Sequence, residues 1–246
     1  MKNKEIITTE NKEIITNDFS KFQTEYVQGE GAISNIDNRF IQLGQLCIAQ
    51  PLSPIFMEGL CKIGDLHDRE SNEVLATNGT GLEIIIVDYK LNYAYYDIST
   101  NAKTSKKKIW LRNEVISPIS PKKFVKNFEE NGIEIETAIH HQFTIIVVGK
   151  DIPYKLVMKG ASIPTASKIL TEMKVLDAKR VPFYAQVFKL FVVDKQTTDF
   201  GKVKAFGVEK ARVVTDDEFV IAKSAVKAIA QNKYNMELDN QINDDI

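Results

Sequence analysis

The residues best placed to do chemistry surround the chain's one tryptophan, Trp110, which lies between Lys106, Lys107 and Lys108 on one side and Arg112 on the other. Strand side chains alternate between faces, so Lys106, Lys108, Trp110 and Arg112 share one face. Lys107, Ile109, Leu111, Asn113 and Val115 take the other. A ring set among cations is kept partly in solvent. On the preceding strand Lys90, Asn92, Ala94 and Tyr96 form one face, and Ile85, Val87, Tyr89, Leu91 and Tyr93 the other. The expected hairpin register sets Tyr96 opposite Lys106 and Asn92 opposite Trp110. Such a surface joins two rings to Lys90, Lys106, Lys108 and Arg112, and Lys107 beside them is expected to meet phosphate as well. Single-stranded nucleic acid needs this combination: cations neutralise phosphates, and rings offer every base a stacking face worth roughly 1–3 kcal/mol. From Tyr89 to Lys126 there are nine basic residues against two acidic ones, a local surplus of seven positive charges. The competing reading is a solvated hairpin whose lysines discourage edge-to-edge pairing.

A second constellation is the end of the chain. Asn235 to Ile246 carries Glu237, Asp239, Asp244 and Asp245 with no base, and finishes Asn243, Asp244, Asp245, Ile246. An acidic tip ending on an apolar residue suits a basic groove with a small apolar pocket on a partner, or the protein's own basic face. A frayed, solubilising terminus fits equally well. Catalytic candidates are poor. His67 lies among Asp65, Asp68 and Glu70, but His140 and His141 are adjacent and point to opposite sides of a strand. Gly79-Thr80-Gly81 precedes a strand, whereas phosphate loops lead from a strand into a helix. No enzyme activity, metal or cofactor is expected.

The 246 residues carry 32 Lys+Arg against 33 Asp+Glu, a formal charge of −1, with 43% hydrophobic residues. That balance argues against a uniformly basic nucleic-acid binder but permits charge segregated along the chain. No apolar run of membrane-spanning length occurs, and Met1 to Glu5 lacks a signal-peptide layout, so no membrane partner and a cytoplasmic location, host cytoplasm for a viral protein, are expected. Cys47 and Cys61 read as reduced thiols.

The elements that must position these residues are mostly strands: Ile41 to Ala49, Glu83 to Asp97, Lys106 to Ile116, Glu134 to Gly149, Pro153 to Lys159, and a closing hairpin of Phe183 to Asp194 with Lys202 to Val214. A helix is expected from Ser120, with Pro121 in its first turn, Phe124, Val125 and Phe128 on one side and Asn131-Gly132 as its stop. A second runs from Ser162 to Leu176. Thr215 and Glu218 form a capping box for a third, reaching about Gln231. The order implies a mainly β, β-rich α+β fold resembling an elaborated five-strand Greek-key barrel, the OB-fold; another α+β sheet with helices on one face fits the same pattern. Residues 1–38, with the direct repeat Asn3 to Thr8 and Asn11 to Thr16, read as a flexible arm. Residues 39–232 form one domain, and 233–246 a disordered acidic tail.

With these residues laid out, the chain resembles phage-encoded single-stranded DNA-binding proteins of the OB-fold, acidic-tail type used in T7-like replication. The resemblance rests on the strand order, the basic aromatic hairpin and the Asp244, Asp245, Ile246 tip. The stretches Leu46 to Leu75 and Pro182 to Gln231 are also similar to phage proteins of this size. The body is less basic than the pattern, and the tip lacks a terminal aromatic. The resemblance implies single-stranded DNA as ligand, replication or recombination proteins as partners of the tail, and a possible homo-oligomer. The alternative is a non-enzymatic structural or host-interaction protein that uses the same hairpin as a protein interface.

Overall fold

The structure is a computed structural model that describes residues 43–51, 53–99, 108–117, 122–197 and 201–230. The repeat arm, the acidic tail with Asp244, Asp245 and Ile246, and Lys106 and Lys107 lie outside the described residues. The chain folds as a mainly β protein with few helices, an open and strongly curled half-barrel compatible with a β-rich, OB-like α+β architecture. Ten strands share one sheet: β1 (Gly44–Ile48), β2 (Leu66–Asp68), β3 (Val74–Ala76), β4 (Leu82–Asp97), β5 (Ile109–Val115), β6 (Asn127–Glu130), β7 (Ile133–Val147), β8 (Pro153–Met158), β9 (Gln186–Thr197) and β10 (Gly201–Val213). The main path runs β10-β9-β4-β7-β8-β1-β2-β3, with β5 added to β4 and β6 to β7. Helices α1 (Pro54–Met57), α2 (Ile163–Ala178) and α3 (Asp216–Ala230) complete it. Among the described residues no helix is long and apolar enough to cross a membrane.

β4 and β7 are the spine. Both are long and rich in β-branched and aromatic residues, and they pair antiparallel from Ile84↔Val147 to Asp97↔Ile135. β9 flanks β4 at Leu82 to Ile85, and β5 flanks the same strand from Asn92 to Asp97. The sheet curls until Gln50, just past β1, donates from Nε2 to the carbonyl of Lys204 on β10 at 3.1 Å. Its inner face holds Ile84, Ile86, Phe143, Ile145, Leu156, Phe188 and Leu190, with Ala166 and Ile169 of α2 as the plug. The start of α2 is tied to β10, since Thr165 Oγ1 donates to Phe206 O (2.6 Å) and Phe206 N–H donates to Ser162 Oγ (3.1 Å).

The outer face is covered by α3, whose Phe219, Ala222, Val226 and Ile229 pack with Ile85, Val87, Ile146 and Leu43. The capping box forms: Thr215 N–H donates to Glu218 Oε2 (2.7 Å), and Glu218 N–H to Thr215 Oγ1 (3.3 Å). Arg212 fastens the same corner through Glu218 and Glu83, both at 2.7 Å. The Arg212 hydrogen bonds, and after them the Thr215 backbone N–H, hold the Glu218 carboxyl down at about 2.

The helix expected from Ser120 is not there. Among the described residues the segment from Lys122 to Lys126 is irregular, and Asn127 to Glu130 is strand β6. Asn131 and Gly132 both have positive φ, 53° and 76°, and close a two-residue hairpin in which Glu130 faces Ile133. Asn-Gly flanked by apolar residues is the signature of that turn, and pairing to β7 overrides the weak helical spacing.

Gly44 shows how tightly the short strands are seated. A Cβ there would lie 2.7 Å from Asp68 Oδ1 and 2.8 Å from the Tyr154 ring. Asp68 Oδ1 accepts from Gln45 N–H at 2.9 Å, so the carboxylate cannot yield without losing that bond. Gly44→Ala is therefore expected to cost about 1–3 kcal/mol in urea denaturation, the range for overpacking.

Candidate nucleic-acid interface

The far ends of β4 and β7, with β5 and β6 beside them, form a lobe beyond both long helices. Its apolar cluster is small, with Tyr93, Tyr95, Ile116 and Ile135 buried and Leu111, Phe128 and Ile139 packed against them. The hairpin forms with a different register from the expected one. Tyr96 lies directly opposite Trp110, and Asn92 opposite Val115. A bulge falls at Leu111: Tyr96 pairs with Trp110 but Tyr95 with Arg112, leaving Leu111 as the extra residue.

The bulge corrects the expected face. Trp110 stays with Tyr96 on the outer side, where its Nε1 donates to Asn113 Oδ1 at 3.4 Å. Arg112 is moved to the inner side, its guanidinium carbon 4.8 Å from the Tyr95 ring centroid. Lys90 is also corrected. It shares the row of Tyr96, but at 9% exposure it is buried within the sheet face and does not present an ammonium to an external phosphate. Lys108 and Arg112 are exposed, and each meets a carboxylate: Lys108 Nζ lies 2.6 Å from Glu136, and Arg112 Nη2 lies 2.7 Å from Glu130. Lys122 and Glu114 make a third pair at 2.8 Å, and the Tyr95 hydroxyl donates to Glu114 at 2.6 Å. The Lys122 hydrogen bond, then that of Tyr95, holds the Glu114 carboxyl below its ordinary range. The surplus of seven charges is thus partly met in space by β6 and β7, which carry Glu129, Glu130, Glu134 and Glu136. Glu129 and Glu130 were missed because the sequence reading assigned β6 to a helix, against the Asn-Gly turn signal, whereas Glu136 lies on a strand that was read and was missed because register was not known.

Tyr96 and Trp110 are both half-buried. The Tyr96 hydroxyl lies 3.5 Å from His140 Nε2, and burial, then Glu136, raises its pKa. His140 is driven down to about 3 by burial first and then by Lys159 and His141, so it is a neutral ring at pH 7. His141 points to the other face, where its Nδ1 meets the Tyr89 hydroxyl at 2.9 Å.

Among the described residues no group of three or more His, Cys, Asp or Glu side chains could hold a metal ion. Asp65 accepts from the backbone of Lys62 and Asn78, both at 2.8 Å, and Asp68 from Ser71 Oγ at 2.7 Å. Cys47 and Cys61 are not joined in a disulfide. The fold and site define a β-rich α+β protein carrying an aromatic pair on the outer face where β5 pairs with β4. No family model matches the chain, and comparison with curated proteins and with solved structures returned no match.

Proposed function

We propose that the protein binds single-stranded DNA through the β4–β5 end of the sheet during phage-type replication or recombination. The observation that carries this reading is the cross-strand pair of Tyr96 and Trp110, half-buried on one face beside exposed Lys108. Two neighbouring rings give a sequence-tolerant stacking platform. Lys103, Lys106 and Lys107 precede Lys108 in the chain and supply phosphate contacts with it. Arg112 acts on the inner side, and Asp244, Asp245 and Ile246 recruit replication or recombination partners.

The test is a titration of Trp110 fluorescence with oligonucleotides at two salt concentrations. Four phosphate contacts give a slope of about −3 in log affinity against log salt for a single strand. Trp110→Ala is expected to weaken binding by about 1–3 kcal/mol, the value of one stack. Unchanged fluorescence, or affinity indifferent to salt, defeats the proposal.

A second reading is a protein interface at the same place. Among the described strands β5 pairs only with β4, and it exposes Ile109 at 51% and Val115 at 57%. An open edge with apolar side chains accepts a partner strand. It would give a defined complex or homo-oligomer that ignores nucleic acid.

A further inference from the structure

β5 borders the lobe that carries Trp110, and among the described strands only β4 pairs with it. Ile116 N–H donates to Leu91 O at 2.8 Å, and stepping by two residues along the antiparallel ladder makes Tyr93↔Glu114 and Tyr95↔Arg112 the next bonded pairs. The N–H and C=O groups of Asn113 and Val115, which alternate with them, therefore point away from β4 and out of the edge. Arg112 and Glu114 flank Asn113 on the inner side of the strand, their side chains 47% and 39% exposed. Under antiparallel pairing the run Arg112, Asn113, Glu114 is its own complement. Two copies of β5 laid with Asn113 against Asn113 set each Arg112 opposite the other copy's Glu114.

We propose that β5 is a self-association edge, pairing antiparallel with β5 of a second copy of this chain about a two-fold axis at Asn113. The inference rests on the reading of β5 as an interface strand, and adds to it the partner and the register. Side chains directly opposite across two strands lie roughly 5 Å apart, so opposite charges there attract and like charges repel. In this register the charges of Glu130, Arg112, the partner's Glu114 and the partner's Lys122 follow one another with alternating sign, and the symmetry repeats the row. A slip of two residues sets Arg112 against Arg112 or Glu114 against Glu114. A slip of one brings the outward groups of one copy against residues whose groups are already bonded to β4. Val115, 57% exposed on the outer side, gains cover from the facing strand. Both outer faces stay on the same side of the joined sheet, so the two Tyr96 and Trp110 pairs share one surface, roughly 20 Å apart along it.

Sedimentation equilibrium of the full chain, without nucleic acid, reads the pairing as a mean mass that rises toward twice the monomer with concentration. A ladder this short makes a weak dimer. Arg112→Glu and Glu114→Arg each set like charges opposite one another at both symmetric positions, and each is expected to raise the dissociation constant at least about tenfold. An equimolar mixture of the two variants restores opposite charges across the axis and is expected to recover most of the association. Mixing cannot repair the pairs that each variant loses within its own chain, with Glu130 or Lys122, so recovery reports the contact between copies. A wild-type chain that stays monomeric throughout overturns the inference and leaves β5 open to a different partner. Asn113→Pro removes an outward N–H at an edge, where proline is tolerated, and separates the remaining failures. A dimer lost in Asn113→Pro but not recovered by mixing pairs through β5 in another register and overturns this inference alone. A dimer indifferent to Asn113→Pro lies elsewhere and overturns the β5 interface with it.

Discussion

Phe143→Ala is expected to destabilise the fold by about 3–5 kcal/mol, the range for a fully buried aromatic. Phe143 is fully buried on the inner face, flanked in register by Tyr89 on β4 and Leu156 on β8, with the Tyr89 ring centroid 5.1 Å away. It stands where the curled sheet and α2 close on each other, so little can collapse into the space it leaves. Urea denaturation should show the loss in the midpoint with the slope unchanged. Native-state hydrogen exchange should locate it: the slowest amides of β4 and β7 near Phe143 lose protection, while those of β5 and β6 keep theirs. The lobe that carries Trp110 rests on a cluster of four buried residues, none of them in a described helix, and is expected to open locally at lower free energy than the whole. A wild-type slope with uniform loss across both regions would show instead one cooperative unit.

The contrast between these regions also explains what was legible in the sequence. Where a local signal and long-range pairing agree, the reading held: the long alternating runs became β4 and β7, Ser162 to Leu176 is helical within α2, and Thr215 with Glu218 caps α3. Where they compete, it failed. Ser120 to Gly132 has a helix start and a helix stop by composition, but its Asn-Gly pair and the open side of β7 draw Asn127 to Glu130 into a hairpin. Alternation placed Trp110 and Arg112 on one face, and a single extra residue at Leu111 separated them. Bulges leave no composition signal, so a period-2 argument silently loses its phase beyond one. Charge behaved similarly. A run of bases adjacent in sequence says nothing of carboxylates on a neighbouring strand, and Glu130 and Glu136 meet Arg112 and Lys108 from β6 and β7. The aromatic pair survives because Tyr96 and Trp110 fall on the same side of both irregularities.

Asp88 and His140, both buried on the outer face of the sheet, should make acid stability depend on two opposed titrations. Burial drives His140 from its ordinary 6.5 to about 3, so the folded state resists the proton that the unfolded chain takes up. Stability through His140 is present above about pH 6.5 and falls as pH drops, losing about 3 kcal/mol between pH 7 and 4.5. Asp88 works the other way. Burial raises its carboxyl from 3.8 to about 6, against the opposing pull of Lys90 and the Tyr89 backbone N–H. Here the folded state binds the proton more tightly than the unfolded one, so stability rises as pH falls through 6, by about 2 kcal/mol at pH 4.5. In the wild type the two nearly cancel, leaving a net loss of about 1 kcal/mol from the pair. Single variants expose each arm whatever their own fixed cost, because the change with pH is what is read. His140→Gln should leave the protein about 2 kcal/mol more stable at pH 4.5 than at pH 7 through Asp88, and Asp88→Asn about 3 kcal/mol less stable through His140. The shared fall of Glu218 toward its low pKa enters both and drops out of the difference. Denaturation at the two pH values gives a gap of about 5 kcal/mol between the variants' pH responses. Parallel responses would mean that water reaches both side chains. The size of the gap therefore measures how completely the outer face is covered in solution.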